Sequence, residues 1–130
     1  MRLLLDTHIF IWHILGDERL ADPYKDALLN SANQLFLSVV SIWEVTVKHR
    51  LGKLRLAEPP SVYFPAQRQR HAIDSLRLDE ESVVQLVNLP GIHHDPFDRM
   101  LICQAREHDL TLMTADKTIG KYPVGLLMVE

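Results

Sequence analysis

Residues 95–105 read Asp-Pro-Phe-Asp-Arg-Met-Leu-Ile-Cys-Gln-Ala, and this stretch joins the start of a helix to an acid on its apolar side. Asp95 can accept hydrogen bonds from the free backbone donors of the first turn, and Pro96 suits the first helical position because its missing N–H costs nothing there. Asp98 stands three, four and seven residues before apolar side chains, so it begins the apolar stripe. Because an unpaired buried charge is very costly, the stretch predicts a metal ion beside Asp98, shared with other acids.

Outward from this helix, short apolar segments alternate with helical segments along the chain. The predicted strands are residues 3–5, 35–38, 73–78, 110–114 and 124–129, the last at a sheet edge. The predicted helices are residues 7–15, 22–32, 41–51, 61–69, 80–89 and 96–107, with Asp22 and Asp79 capping the second and fifth. This alternation predicts a three-layer α/β/α fold with a mainly parallel central sheet of about five strands, and ligands in such folds bind at the carboxyl ends of the strands.

Glu44 has two explanations that the sequence alone leaves open. Ser41-Ile-Trp-Glu44 matches the capping box, in which a serine and a glutamate three residues later satisfy free donors at a helix start. Apolar residues nevertheless stand four before, three after and seven after Glu44, so this acid also interrupts an apolar stripe. The same exception therefore occurs at Glu44 and at Asp98.

Two further acids follow predicted strands: Asp6 comes directly after residues 3–5, and Asp116 follows the strand that ends at Thr114. Each of the four acids has a local explanation as a cap or a first-turn acid. If the four carboxylates converge within about 4 Å, however, each like-charge pair costs about 4 kcal/mol at an effective dielectric of about 20, whereas a cap gains about 1 kcal/mol. The acids are therefore either dispersed or held by a cation.

The donor types indicate which metal would bind. Carboxylate oxygens without thiolates suit Mg²⁺ or Mn²⁺ better than zinc. His93 and His94, beside Asp95, would supply half of a zinc site, but no companion pair stands at ligand spacing, so they are interpreted as loop, orienting or substrate-contacting residues. The single cysteine, Cys103, lies within the apolar stripe and is interpreted as a core residue. A magnesium ion held by acids with open positions suits phosphodiester hydrolysis, because it activates water and stabilises the leaving oxygen.

The composition, 47% hydrophobic over 130 residues, is that of an ordinary globular protein, and we expect one domain spanning residues 1–130. The apolar runs are far shorter than a membrane span, and the N-terminal apolar stretch is too short for a signal peptide. We therefore expect a cytoplasmic protein with no membrane contact.

The net charge of −3 argues at first against a nucleic-acid partner, since phosphate binders are usually basic. If metal neutralises four of the 17 acids, 13 remain against 14 Lys and Arg, and the balance becomes slightly positive. Basic residues cluster within 48–55 and 68–71, where a solvated helix face is the simplest interpretation. Lys48 and Arg55 follow Glu44, so a nucleic-acid strand passing the metal could rest its phosphates on them.

Four segments, in this order, carry a recognisable pattern: Leu-Leu-Leu-Asp-Thr-His at 3–8, Ser-Ile-Trp-Glu at 41–44, His-His-Asp-Pro-Phe-Asp-Arg at 93–99 and Thr-Ala-Asp at 114–116. Over essentially its full length the chain resembles the PIN-domain ribonucleases, and among them the VapC-like toxins of bacterial toxin–antitoxin modules. Each segment alone is weak evidence, whereas four in order make a specific signal.

The resemblance implies a PIN-like fold and assigns roles to residues. The acidic tetrad that binds Mg²⁺ or Mn²⁺ and carries catalysis would be Asp6, Glu44, Asp98 and Asp116. The supporting residues would be Thr7, Thr114, Asp95, Arg99 and His93. The resemblance further implies a metal-dependent endoribonuclease acting on single-stranded or structured RNA. Such proteins are commonly homodimers, silenced by a VapB-like antitoxin that threads a segment into the active site.

Two other functions compete with this one. A degenerate member could keep the fold and bind RNA or a protein without cutting, although the intact tetrad argues against it. A phosphatase with an aspartate nucleophile would need Asp-x-Asp after the first strand, where this chain has Asp6-Thr7-His8. The sequence therefore disfavours the phosphatase class.

Overall fold

A five-stranded parallel sheet forms the centre of the protein, whose computed structural model describes residues 1–129. The strands are β1 (Arg2–Leu5), β2 (Gln34–Ser38), β3 (Asp74–Leu76), β4 (Thr111–Met113) and β5 (Leu126–Leu127). The helices are α1 (Thr7–Leu15), α2 (Asp22–Leu29), α3 (Val39–Arg50), α4 (Pro60–Arg70), α5 (Glu80–Val84) and α6 (Pro96–Glu107). The strand order is β3-β2-β1-β4-β5 with every pairing parallel, so the predicted fold class is confirmed.

β1 is the central strand because its three leucines are apolar on both faces of the sheet. Leu4 is in register with Phe36 of β2 on one side and with Leu112 of β4 on the other. Leu3 and Leu5 pack into a core with α1, α2 and α4, whereas Leu4 packs into a second core with α6. Helices therefore cover both faces, and the carboxyl ends of the strands remain as the rim where a site can form.

The predicted start of α3 is wrong. The helix begins at Val39 rather than Ser41, because the Ser38 hydroxyl at the end of β2 accepts a hydrogen bond from Val40 N at 3.0 Å. Ser41 is buried inside the helix. A capping box therefore does not explain Glu44.

The other helix ends follow local chemistry closely. α1 and α6 have the predicted bounds, and Gly16 after α1 has φ 62, a left-handed conformation that glycine adopts at little cost. The predicted cap at Asp22 is wrong, because Ala21 is the N-cap residue and Asp22 stands in the first turn, where the helix dipole favours an acid. Asp79 does cap α5, but that helix ends at Val84 and continues as a 3₁₀ turn over Gln85–Asn88.

A buried polar contact holds α6 against the ends of two strands. Gln104 of α6 is fully buried, accepts a hydrogen bond from the Ser38 hydroxyl and donates one to Arg77 O at 3.1 Å. Because buried polar groups require such partners, this contact fixes the orientation of the helix that carries Asp98.

Candidate functional site

The four predicted acids lie near the carboxyl ends of the strands. Asp6 follows β1, Asp116 follows β4, Glu44 is in α3 just after β2, and Asp98 is in the first turn of α6. Asp6 is 3% exposed and Glu44 is 2% exposed, whereas the side chains of Asp98 and Asp116 are 14% and 38% exposed. The rim therefore combines two buried acids with two that reach solvent, and we call these four residues the acid cluster.

Asp6 is the N-cap residue of α1, but its carboxylate makes no capping hydrogen bond. Its Oδ2 instead accepts from the Thr114 hydroxyl at 2.7 Å, and Thr114 Oγ1 accepts in turn from Asp116 N at 3.0 Å. Asp6 Oδ1 is buried and has no hydrogen-bond partner among residues 1–129. The capping explanation of Asp6 therefore fails, and one of its oxygens is left for a ligand.

Glu44 is held by a lysine from its own helix. Its Oε2 accepts a hydrogen bond from Lys48 Nζ, while its Oε1 is buried without a partner in the part of the chain that the structure describes. Burial opposes the charge of Lys48, but the bond to Glu44 and the charges of Asp95 and Asp98 outweigh it and raise the Lys48 pKa. In the structure the Lys48 ammonium is therefore bound to Glu44, and its contact with RNA phosphate stays a prediction.

Asp98, Asp116 and His93 form the more open part of the cluster. His93 Nε2 lies 2.8 Å from Asp98 Oδ2 and 3.6 Å from Asp116 Oδ2. One potential ligand atom from each of the three residues falls within 4.8 Å of the others. Asp95, in contrast, caps α6 by accepting from Phe97 N and Asp98 N, as the sequence predicted.

The loop that carries His93 is fastened by a tyrosine that the sequence analysis missed. His93 N donates to the Tyr122 hydroxyl oxygen at 2.7 Å. Arg99 Nη1 donates to the same oxygen at 3.2 Å, to Pro90 O at 2.9 Å and to His93 O at 3.3 Å. Arg99 therefore positions the His93 loop from the outside of the acid cluster.

Two other predicted residues have no contact with the acid carboxylates among the hydrogen bonds of residues 1–129. The Thr7 hydroxyl donates to the Ser41 hydroxyl at 2.8 Å, which ties α1 to α3 in the buried interior. Arg55 is exposed after α3. His94 is exposed next to His93, so only one of the two adjacent histidines takes part in the cluster.

The electrostatics of the cluster reflect charge crowding in a buried place. Burial and then the negative charge of Asp6 raise the pKa of Asp98 to about 7, with further contributions from Asp95 and Glu44, against the lowering effect of its hydrogen bond to His93. Burial likewise raises the pKa of Asp6, although the hydrogen bond from Thr114 opposes this. Without a cation, the cluster therefore resists full ionisation.

A cleft of about 240 Å³ opens beside the cluster. Its lining residues are Asp6, His8, Trp12, Ala115 and Asp116. The ring centroids of His8 and Trp12 lie 5.9 Å apart, so part of the cleft wall is aromatic. A larger cavity of about 390 Å³, lined by Glu80, Glu81 and Glu107 among others, shares no residue with the cluster.

The donor set fits a hard divalent cation. Asp6 Oδ1 and Glu44 Oε1 are buried oxygens without hydrogen-bond partners in the described part of the chain, and two more carboxylates lie at the open side. Mg²⁺ and Mn²⁺ prefer such oxygen ligands and keep open positions for water. Asp6, Glu44, Asp98 and Asp116 could therefore hold one of these ions, with His93 beside them.

Comparison with known proteins adds the family. The family model of the PIN domain matches residues 3–124 of this chain. The chain belongs to the PIN domain family. Ribonuclease VapC16 of Mycobacterium tuberculosis is 38% identical over 47 residues, which make up 36% of this chain and 33% of that protein. The aligned part therefore spans about a third of the length of that ribonuclease.

Solved structures with the same fold cover nearly the whole chain. A chain of VapBC2 from Rickettsia felis, bound to a promoter DNA fragment, superposes with a TM-score of 0.74 at 17% identity over 100% of both chains. DNA-bound VapBC from Salmonella typhimurium superposes with a TM-score of 0.70 at 14% identity over 98% of both chains. FitAcB from Neisseria gonorrhoeae superposes with a TM-score of 0.62 at 22% identity over 96% of both chains. The likeness at these identities is one of fold, and it confirms the PIN-like architecture.

Within residues 1–129, no helix has both the length and the apolar character needed to cross a membrane.

Proposed function

We propose that this PIN domain protein is a metal-dependent endoribonuclease that acts as the toxin of a toxin–antitoxin pair. The observation that carries the proposal is the pair of buried carboxylate oxygens, Asp6 Oδ1 and Glu44 Oε1, that have no protein partner among residues 1–129. Leaving buried charged groups unsatisfied is costly, so their retention at the strand ends favours a ligand with positive charge. The family match and the partial identity to a ribonuclease support RNA as the substrate.

We assign metal binding and catalysis to Asp6, Glu44, Asp98 and Asp116. A bound Mg²⁺ or Mn²⁺ would supply a water of lowered pKa and Lewis-acid stabilisation of the phosphoryl and leaving oxygens. Thr114 holds Asp6 in one orientation, and Asp95 keeps the first turn of α6 in place under Asp98. His93 lies where its ring can hold a proton between Asp98 and Asp116.

The chemistry is hydrolysis of one phosphodiester bond. The oxygen of water bonds to phosphorus, the bond from phosphorus to the leaving ribose oxygen breaks, and that oxygen takes up a proton. The aromatic wall formed by His8 and Trp12 suits a nucleotide base, because stacking on aromatic rings tolerates any sequence. The cleft beside the acids thus fits a single strand better than a double helix.

The partners follow from the same assignment. The solved relatives named above include complexes called VapBC, and this supports a VapB-like antitoxin for this chain. Exposed apolar residues on α3 and near the end of α5 support a homodimer: Val39, Trp43, Val84 and Val87. We place the activity in the cytoplasm, where RNA is available, and we treat residues 1–130 as one nuclease domain.

An RNA cleavage assay tests this function. The purified protein should cut end-labelled single-stranded RNA into discrete fragments with Mg²⁺ or Mn²⁺, stop when a chelator is added and resume when metal is restored. Its expression in a bacterial host should arrest growth. RNA binding without cleavage under all metal conditions would favour the inert binding module and overturn the nuclease assignment.

The exposed basic residue Arg55 gives a second measurement. Arg55 is exposed after α3, so we expect Arg55→Ala to weaken RNA binding and to reduce the salt dependence by about one phosphate contact. Binding should be measured at several salt concentrations in the presence of chelator, which prevents cleavage. Arg106→Ala, on the distant end of α6, is the matched control. If both variants weaken RNA binding equally, Arg55 is an ordinary solvated residue without a specific role in RNA binding.

A further inference from the structure

The acid cluster already contains a cation that belongs to the protein. Lys48 stands four residues after Glu44 on α3, and its Nζ bonds to Glu44 Oε2. The Lys48 side chain is 36% exposed, whereas that of Glu44 is 2% exposed. The lysine stem therefore enters from solvent and brings the ammonium to a carboxylate inside the site.

This pair differs from an ordinary helix-surface pair. Exposed glutamate and lysine side chains at this spacing contribute little, because water already solvates both charges. Glu44 is out of water, and its other oxygen has no partner within residues 1–129, so Lys48 provides the neutralising charge that a buried carboxylate requires. The charges of Asp95 and Asp98 also act on the ammonium, so it lies within the electric field of these two acids as well as of Glu44.

We propose that the Lys48 ammonium is the resident counter-ion of the acid cluster, and that a divalent ion binds Glu44 only by displacing it. This inference rests on the proposed function, because it concerns the same metal site. Glu44 Oε1 stays open to a metal, but the ammonium on Oε2 of the same carboxylate lies close to that position and repels a divalent cation there. Metal binding is therefore an exchange, and it costs the energy of the ion pair that breaks.

The exchange has a functional consequence. Without metal, Lys48 reduces the repulsion among the acids and keeps the site folded. With metal, the ammonium moves away from Glu44 on its flexible stem and becomes available for an RNA phosphate. The role in RNA binding assigned to Lys48 from the sequence then belongs to the metal-loaded protein alone.

Calorimetric titration with Mn²⁺ at neutral pH tests the exchange. Lys48→Met keeps most of the stem and removes the charge, so we expect its Kd for Mn²⁺ to fall about tenfold below that of the wild type, equivalent to 1.4 kcal/mol. Lys53→Met changes the net charge equally at an exposed position, and its Kd should stay within about twofold of the wild type, because exposed charges are screened by salt. A Kd for Lys48→Met that is equal to or higher than that of the wild type overturns the inference.

A second measurement uses the wild type and so avoids any loss of folding in Lys48→Met. With ¹⁵N-labelled lysine, the Lys48 ammonium should give a protected signal in chelator that shifts or disappears as Mg²⁺ saturates the site; Lys48→Arg identifies it. An unchanged signal at saturation overturns the exchange. If the wild type and the variants all fail to bind millimolar Mn²⁺, the proposed function fails as well. If the wild type binds Mn²⁺ and Lys48→Met binds it no more tightly, only the exchange is overturned and the proposed function stands.

Discussion

We expect Asp98→Asn to lower the rate of RNA cleavage by about a thousandfold, because metal activation of water and of the leaving oxygen would be worth several kcal/mol and each 1.4 kcal/mol is a factor of about ten. The substitution keeps the size of the side chain and can keep a hydrogen bond to His93, so the fold should be unchanged. Initial cleavage rates of wild type and variant, at saturating Mn²⁺ and equal folded concentration, measure the effect.

Asp95→Asn is the matched control, because it removes one charge from the same motif. Asparagine is also a good N-cap residue, and Asp95 uses its carboxylate to cap α6 rather than to face the other acids. We expect its cleavage rate to fall by less than about tenfold, since it contributes charge but no ligand. Wild-type cleavage by Asp98→Asn, or a larger loss in Asp95→Asn, would show that the wrong acid of the motif was assigned.

The parts of this protein that the sequence predicts well depend on neighbours along the chain. α6 begins and ends where its cap, its proline and its apolar stripe indicate. The burial of β1 on both faces follows from its leucines, which leave no polar face. The inward direction of Asp98 follows from helical spacing alone. Patterns of this kind act over one or two turns, so they can be recognised in sequence.

Side-chain partners that come from distant segments were not predictable in this way. Tyr122 fastens His93 from 29 residues away along the chain, and the spacing of residues gives no sign of it. The Thr114 hydroxyl that orients Asp6 comes from 108 residues away, although the resemblance to the family did point to Thr114.

The contact between Lys48 and Glu44 is a different case, because its signal was present. A glutamate four residues before a lysine on a helix is the favoured order for an ion pair. Lys48 was predicted to contact RNA because Lys48 and Arg55 follow Glu44 along the chain, whereas in the structure its ammonium is bonded to the buried Glu44. The burial of Glu44 favours the ion pair with Lys48 over a contact of Lys48 with RNA phosphate. That burial depends on how α3 packs against the sheet, which the sequence pattern does not give.

Like-charge crowding predicts that the metal-free protein loses stability as the pH rises. Asp98 has a pKa raised from 3.8 to about 7, first by burial and then by the charge of Asp6. The folded state therefore holds this proton more tightly than the unfolded state, so its contribution to stability is complete below about pH 4 and is lost as the pH rises through 7. Asp98→Asn stays neutral throughout. We expect the free energy of unfolding of the variant to exceed that of the wild type by roughly 1.6 kcal/mol at pH 5 and by up to about 4 kcal/mol at pH 8, at about 1.36 kcal/mol for each pKa unit.

Metal should reverse this order, because a cation neutralises the charges that destabilise the wild type. An ion at a hundredfold excess over Kd adds about 2.7 kcal/mol to the free energy of unfolding, or several degrees of melting temperature, and it should bind the wild type better than Asp98→Asn. Thermal melts of both proteins at pH 5 and pH 8, each with chelator and with Mg²⁺, measure these differences. Asp26→Asn, at an exposed position on α2, removes a charge away from the cluster and should follow the wild type. A shared carboxylate site is contradicted if the wild-type melt is indifferent to both Mg²⁺ and Mn²⁺, since four crowded acids cannot be relieved by an ion that none of them binds.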